Sequence, residues 1–198
     1  MDSNSVDLKK AINIHFIGIG GSSMSGLAKI MKSRGCVVSG SDCARSKFIE
    51  MLESLGISLV IGHSPNNIPK NCDLVIYTLA IDSKNPELLE AQRRGIQVVE
   101  RGTFLGLLTK EYPKTLAISG THGKTTTSSM CAEIFLAADL DPSIHIGGEL
   151  SSIGGNVRSG KGPFFLTEAC EYHDNFLHLH PFAGIILNIE AEHLDYFK

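Results

Sequence analysis

Leu116-Ala117-Ile118-Ser119 is an apolar run that ends in Gly120-Thr121-His122-Gly123-Lys124-Thr125, and a helical pattern follows from Lys124 to about Ala138. A buried strand, a glycine turn and a helix in this order make half of a strand–helix–strand crossover. Such crossovers build parallel sheets with helices on both faces. Glycines let the backbone curl so that several N–H groups face one concavity, and the helix N-terminus adds partial positive charge there. Lys124 stands where an ammonium reaches the β- and γ-phosphates of a nucleotide, and Thr125 where a hydroxyl ligates Mg²⁺. The loop is shorter than G-x-x-x-x-G-K-[ST], which would require glycine where Ile118 stands. The parts still come in the order of a triphosphate loop. Gly120, Thr121, His122, Gly123, Lys124, Thr125 and Thr126 are therefore expected to contact ATP.

A related arrangement occurs earlier. Ile12 to Ile19 is nearly continuous in apolar residues and runs into Gly18-Ile19-Gly20-Gly21-Ser22-Ser23. Met24, Leu27, Ala28, Ile30 and Met31 then recur at helical spacing up to Gly35. The loop suits a pyrophosphate on a helix N-terminus. It is an imperfect G-x-G-x-x-G, with Ser23 in the last glycine position, and a plain strand–helix turn would look similar. Asp42, after Gly40-Ser41, is placed to bond a ribose hydroxyl.

Strand and helix alternate between the two loops. Cys36 to Ser39, Ile57 to Ile61, Leu74 to Tyr77 and Ile96 to Val99 read as strands. Helices are expected around Phe48 to Leu55 and from Pro86 to Arg93. Glu111-Tyr112-Pro113-Lys114 is a polar break before the pattern restarts. Phe164 to Thr167 and Gly184 to Ile189 are two more buried strands, and Ser143 to Ile146 a weaker one. The expected fold is a doubly wound α/β unit followed by a second α/β unit of about four strands. A sheet stopped there would leave an apolar edge uncovered, so the chain is expected to be the N-terminal part of a longer protein.

Composition narrows the partners. The net charge is −3 and no basic run exceeds two residues, which argues against a nucleic-acid partner. No stretch approaches a membrane span or a signal peptide. Five cysteines, none in a C-x-x-C pair, fit free thiols in a reducing cytoplasm.

Glu168, in Thr167-Glu168-Ala169-Cys170-Glu171, and His193, in Ile189-Glu190-Ala191-Glu192-His193, follow buried strands. There they could hold or orient a divalent cation. His63 also lies at a strand end and is a ligand candidate. His173, His178 and His180 read as surface or partly packed.

Ile14-His15-Phe16-Ile17-Gly18-Ile19-Gly20-Gly21, Met24-Ser25-Gly26-Leu27-Ala28 and Ser39-Gly40-Ser41-Asp42 together resemble the Mur ligases of peptidoglycan synthesis. So do Gly120 to Thr127, Phe176-Leu177-His178-Leu179 and Asn188 to His193. The resemblance runs in order from residue 12 to the last residue, and is to those members that join L-alanine to UDP-N-acetylmuramate. Cys170 and Glu192 stand where the family commonly has aspartate, and Thr78 to Asp82 replaces a serine-rich segment.

The resemblance implies a Rossmann-like domain over residues 1–110 that binds UDP-N-acetylmuramate. It implies an incomplete P-loop-type ATP-binding domain over 115–198, and a third, C-terminal ligase domain that the chain lacks. It implies ATP and Mg²⁺ as cofactors. Lys124, Glu168 and His193 would be catalytic, and Thr125, Glu168 and His193 metal-holding. Gly18, Ile19, Gly20, Gly21, Ser22, Ser23, Asp42 and His63 would bind the UDP substrate. Three alternatives remain at this point: a ligase that reattaches a ready-made peptide to the same sugar nucleotide, a non-catalytic UDP-sugar or ATP-binding module, and, more weakly, a nicotinamide oxidoreductase, which leaves the Gly120 loop unexplained.

Overall fold

The computed structural model describes residues 8, 10–192, 194, 196 and 197. They fall into two compact units, Met1–Phe104 and Leu105–Lys198.

The first unit is built on five parallel strands. These are β1 (Asn13–Ile17), β2 (Val37–Asp42), β3 (Ser58–Ile61), β4 (Leu74–Tyr77) and β5 (Gln97–Glu100), in spatial order β3-β2-β1-β4-β5. The helices between them are α1 (Ser22–Ser33), α2 (Lys47–Ser54) and α3 (Pro86–Arg93). β1 is central, and Ile14, Phe16 and Ile17 are buried on both of its faces, which explains its unbroken apolar run. The chain leaves β1 toward β2 and β3, then crosses to β4. The C-terminal ends of β1 and β4 therefore form the point where strand order reverses, and the Gly18 loop emerges there.

In this unit the strand bounds depart most from the sequence expectation at β1 and β2. β1 stops at Ile17, because the Gly18 and Ile19 amides donate to the Ser41 carbonyl at 2.8 and 3.0 Å. β2 continues past Ser39 to Asp42, because β3 pairs with it through Asp42↔Ile61. α4 (Arg101–Lys110) was not anticipated. Gly102 and Gly106 weaken its helix signal. It forms because Phe104, Leu105 and Leu108 are buried, and because Glu100 Oε2 accepts from the Gly102 and Thr103 amides.

The second unit has β6 (Lys114–Ser119), α5 (Lys124–Ala137), β7 (Ser143–Leu150), β8 (Gly155–Arg158), β9 (Phe164–Glu168) and β10 (Ala183–Ile186). The sheet order is β10-β6-β9-β7-β8. It has five strands rather than four. β7 extends to Leu150 and turns back through Gly154-Gly155 into the antiparallel β8, so one edge of an otherwise parallel sheet is a hairpin. Ile118, Ala132, Ile144, Ile146 and Leu166 form the core between α5 and the sheet. β10 is the other edge; it ends at Ile186 rather than at the expected Ile189, because the chain turns there toward the Gly120 loop, where Asn188 bonds the His122 backbone. Phe182, just before it, and Ile186, its last residue, are 75% and 71% exposed. No cysteine forms a disulfide. Among the described residues no helix is long and apolar enough to cross a membrane.

Candidate nucleotide-binding loops

The Gly120 loop leaves the C-terminal end of β6, flanked by the ends of β9 and β10. Gly123 caps α5 with φ +84°, a left-handed conformation that side chains strain to adopt, and no side chain caps the helix. The first-turn amides of α5 thus carry no local acceptor, the condition an incoming phosphate needs. Lys124 folds back over the loop. Its Nζ donates to the Gly120 and Thr121 carbonyls at 2.5 and 3.2 Å and to both oxygens of Glu171 at 3.0 and 3.1 Å. The ammonium is held at the loop mouth by groups that a phosphate could replace.

Thr125 and Glu168 meet at Gly147. Glu168 Oε1 accepts from the Gly147 amide at 2.8 Å and from Ser128 Oγ at 3.1 Å. A Cβ placed on Gly147 would lie 2.9 Å from Glu168 Oε2 and 3.3 Å from Thr125 Oγ1. These two oxygens converge on one small space that only a glycine leaves open. Hard oxygen donors in such a space fit Mg²⁺. Among the described residues no three His, Cys, Asp or Glu side chains gather as a metal-holding group. His193, the third expected ligand, lies outside the described residues.

The segment after β10 braces the loop. The Asn188 side chain accepts from the His122 amide at 2.9 Å and donates to the His122 carbonyl at 3.0 Å. The Glu190 amide donates to Thr121 Oγ1 at 3.0 Å, and the His122 and Glu190 side chains pair at 3.6 Å in an exposed position. Gly120, Thr121, Glu171, Phe176, Asn188 and Ile189 help to line a cleft of about 480 Å³ here. Thr126 lies in the first turn of α5. Asn188, Ser128 and Gly147 have no role that is legible in the sequence. Asn188 lay in a recognised motif, but its grip on a loop 66 residues away is a tertiary fact.

In the first unit the Gly18 loop packs tightly against β2. The Gly18 and Ile19 amides are engaged by Ser41, Ile19 is buried, and the Gly20 amide donates to Asp42 Oδ2 at 2.7 Å. Asp42 therefore shapes the loop as well as bordering it. Gly21 caps α1 with no side-chain partner, and Ser22 and Ser23 form the helix's first turn. His63 sits just beyond β3, and its Nδ1 lies 3.1 Å from Glu87 Oε1. His173, His178 and His180 are exposed.

Fold and loops together define an α/β protein of nucleotide-binding architecture. Residues 13–113 match the model of the Mur ligase family catalytic domain, and residues 118–198 that of the Mur ligase middle domain. The chain belongs to the Mur ligase family.

It is 54% identical over 193 residues to a UDP-N-acetylmuramate–L-alanine ligase of Acetivibrio thermocellus, covering 98% of this chain and 41% of that protein. It is 56% identical over 185 residues to the ligase of the same name from Clostridium beijerinckii, covering 93% and 40%. The crystal structure of the UDP-N-acetylmuramate-alanine ligase of Thermotoga maritima superposes with a TM-score of 0.86 at 34% identity, over 92% of this chain and 43% of that one. A UDP-N-acetylmuramate:L-alanyl-γ-D-glutamyl-meso-diaminopimelate ligase from Neisseria meningitides gives 0.84 at 30% identity, over 95% and 64%. The chain thus spans about two-fifths of the length of the curated relatives it matches.

Proposed function

We propose that this chain forms the first two nucleotide-binding regions of an ATP-dependent ligase that joins L-alanine to the carboxylate of UDP-N-acetylmuramate in the cytoplasm. The observation that carries the reading is the convergence of Lys124, Thr125 and Glu168 around one glycine loop. Similarity to L-alanine ligases along nearly the whole chain supports the choice of substrates. In this reading residues 1–110 hold the UDP sugar, residues 115–198 hold ATP, and a further ligase domain completes the site.

A carboxylate is a poor electrophile. Transfer of the ATP γ-phosphoryl group to it gives an acyl phosphate and ADP, and the amine of L-alanine then displaces inorganic phosphate. The protein contributes mainly position and charge. Lys124 neutralises the β- and γ-phosphates, exchanging Glu171 for phosphate oxygen. The amides of Gly120, Thr121, His122, Gly123 and Thr126 frame the triphosphate. Thr125 and Glu168, with His193, would hold Mg²⁺, which when bound would supply further charge neutralisation. Gly21, Ser22 and Ser23 face the UDP diphosphate from the α1 N-terminus. Gly18, Ile19 and Gly20 set the turn, and Asp42 and His63 border the nucleoside.

Lys124→Ala in the protein carrying its continuing chain is expected to lower ligase turnover at least 100-fold and to weaken ATP binding, measured by phosphate release and calorimetry. Unchanged turnover and affinity would overturn the assignment. A peptide-reattaching ligase is the second reading, favoured by the close superposition on the Neisseria enzyme. Comparing L-alanine with the tripeptide as amine substrate separates the two.

A further inference from the structure

Glu87 lies in the first turn of α3 and is fully buried. Ser41 Oγ and His15 Nε2 contact its Oε2 at 2.7 and 3.0 Å. Asn67 Nδ2, His63 Nδ1 and the Ser64 amide contact its Oε1 at 2.8, 3.1 and 3.3 Å. Donors from β1, β2 and the segment after β3 thus meet on one carboxylate. Burial pushes this carboxyl up, but the hydrogen bonds from His15, Ser41 and Asn67 outweigh it and hold the group at about 2. It is ionised at neutral pH. A buried charge is a costly way to join elements that apolar packing would join as well.

His63 is distinct among these partners. Its side chain is 19% exposed, and it carries a second ring nitrogen, Nε2, with no hydrogen-bond partner among the described residues. An ionised carboxylate only accepts, so the nitrogen facing it carries the proton. Ser41 gives an independent reason. Its single hydroxyl hydrogen goes to Glu87, so its oxygen meets His63 Nδ1 at 3.2 Å as an acceptor. Both contacts place a proton on Nδ1; in the neutral ring that leaves Nε2 as a bare acceptor. His63 follows Gly62, just past β3, and the Gly62 amide donates at 2.8 Å to the carbonyl of Asp42, whose carboxylate holds the Gly20 amide.

We infer that Glu87 is a positioning residue for the nucleotide: it fixes His63 in the Nδ1–H tautomer, so that Nε2 accepts a hydrogen bond from an N–H or O–H donor of the uridine. The inference rests on the reading that the first unit binds a uridine-diphosphate sugar.

The test uses the 198-residue chain. Long-range ¹H–¹⁵N NMR reads the His63 tautomer, and calorimetry reads UDP-N-acetylmuramate affinity in wild type, Glu87→Gln, His63→Ala and the double variant. The wild-type ring is expected as Nδ1–H, with the Nε2 resonance moving when the nucleotide is added. This arm needs no variant to fold. Glu87→Gln is expected to mix the tautomers and weaken binding roughly five- to tenfold. His63→Ala should weaken it similarly, and the double variant no further. A wild-type Nε2–H ring overturns the inference. So does a Glu87→Gln loss of the same size with and without His63, because a merely structural Glu87 would behave that way. Failure of the wild-type chain to bind UDP-N-acetylmuramate overturns the parent reading itself, a separate and recognisable result.

Discussion

At the scale of single residues, the proposed role of the Gly120 loop depends on atoms that only a small neighbour leaves uncovered. Gly147 is exposed and its backbone is not left-handed, so alanine there would not strain the main chain. Its Cβ would nevertheless sit against Glu168 Oε2 and Thr125 Oγ1. Gly147→Ala is expected to weaken Mg²⁺-dependent ATP binding about tenfold or more while the unfolding midpoint stays nearly unchanged; calorimetry with and without Mg²⁺ checks this. Glu87 carries a second prediction. Its folded pKa of about 2 lies below the ordinary carboxylate value of 4.5, so its ionisation stabilises the fold above pH 4.5. That contribution is lost as pH falls through the window toward 2. Between pH 6 and pH 3 the stability gap between wild type and Glu87→Gln should shrink by about 2 kcal/mol, read from urea unfolding.

At the scale of elements, each glycine loop is set by a strand before it and a helix after it, but its shape is held by a third segment. Asp42, at the end of β2, holds the Gly20 amide. Asn188, just past β10, grips both backbone groups of His122. Such reciprocal bonds fix a loop at a modest cost in side-chain entropy. Asn188→Ala leaves the His122 amide and carbonyl to solvent. ATP affinity is expected to fall roughly five- to tenfold and amide exchange across residues 120–123 to quicken, measured by hydrogen exchange. Asn188→Asp keeps the acceptor and loses the donor, and should fall between.

At the scale of the whole molecule, the chain holds two α/β units and spans about two-fifths of its curated relatives. The 198 residues alone are expected to bind UDP-N-acetylmuramate yet release no phosphate when ATP and L-alanine are supplied. Phosphate release that requires both substrates would overturn this. The alternating pattern from Asn13 onward and the glycine clusters after apolar runs determined by themselves the α/β class and where glycine turns would lead from a strand into a helix. They are local signals: strand, turn and helix periodicities are written in adjacent residues. The helix Arg101–Lys110 was not legible, because burial of Phe104 and Leu108 overrides its two glycines. The β7–β8 hairpin was hidden because its register breaks between His145 and Leu150. Nor did sequence show that Glu87 is buried, since an Asn-Pro-Glu helix start reads as an ordinary solvent-facing first turn. Tertiary structure alone decided which asparagine holds the loop and which glutamate grips His63, and it brought Glu168, already named by the family resemblance, to Thr125 across Gly147. Those pairings join residues between about 20 and 70 positions apart, and only packing of the sheets brings such residues within hydrogen-bond reach.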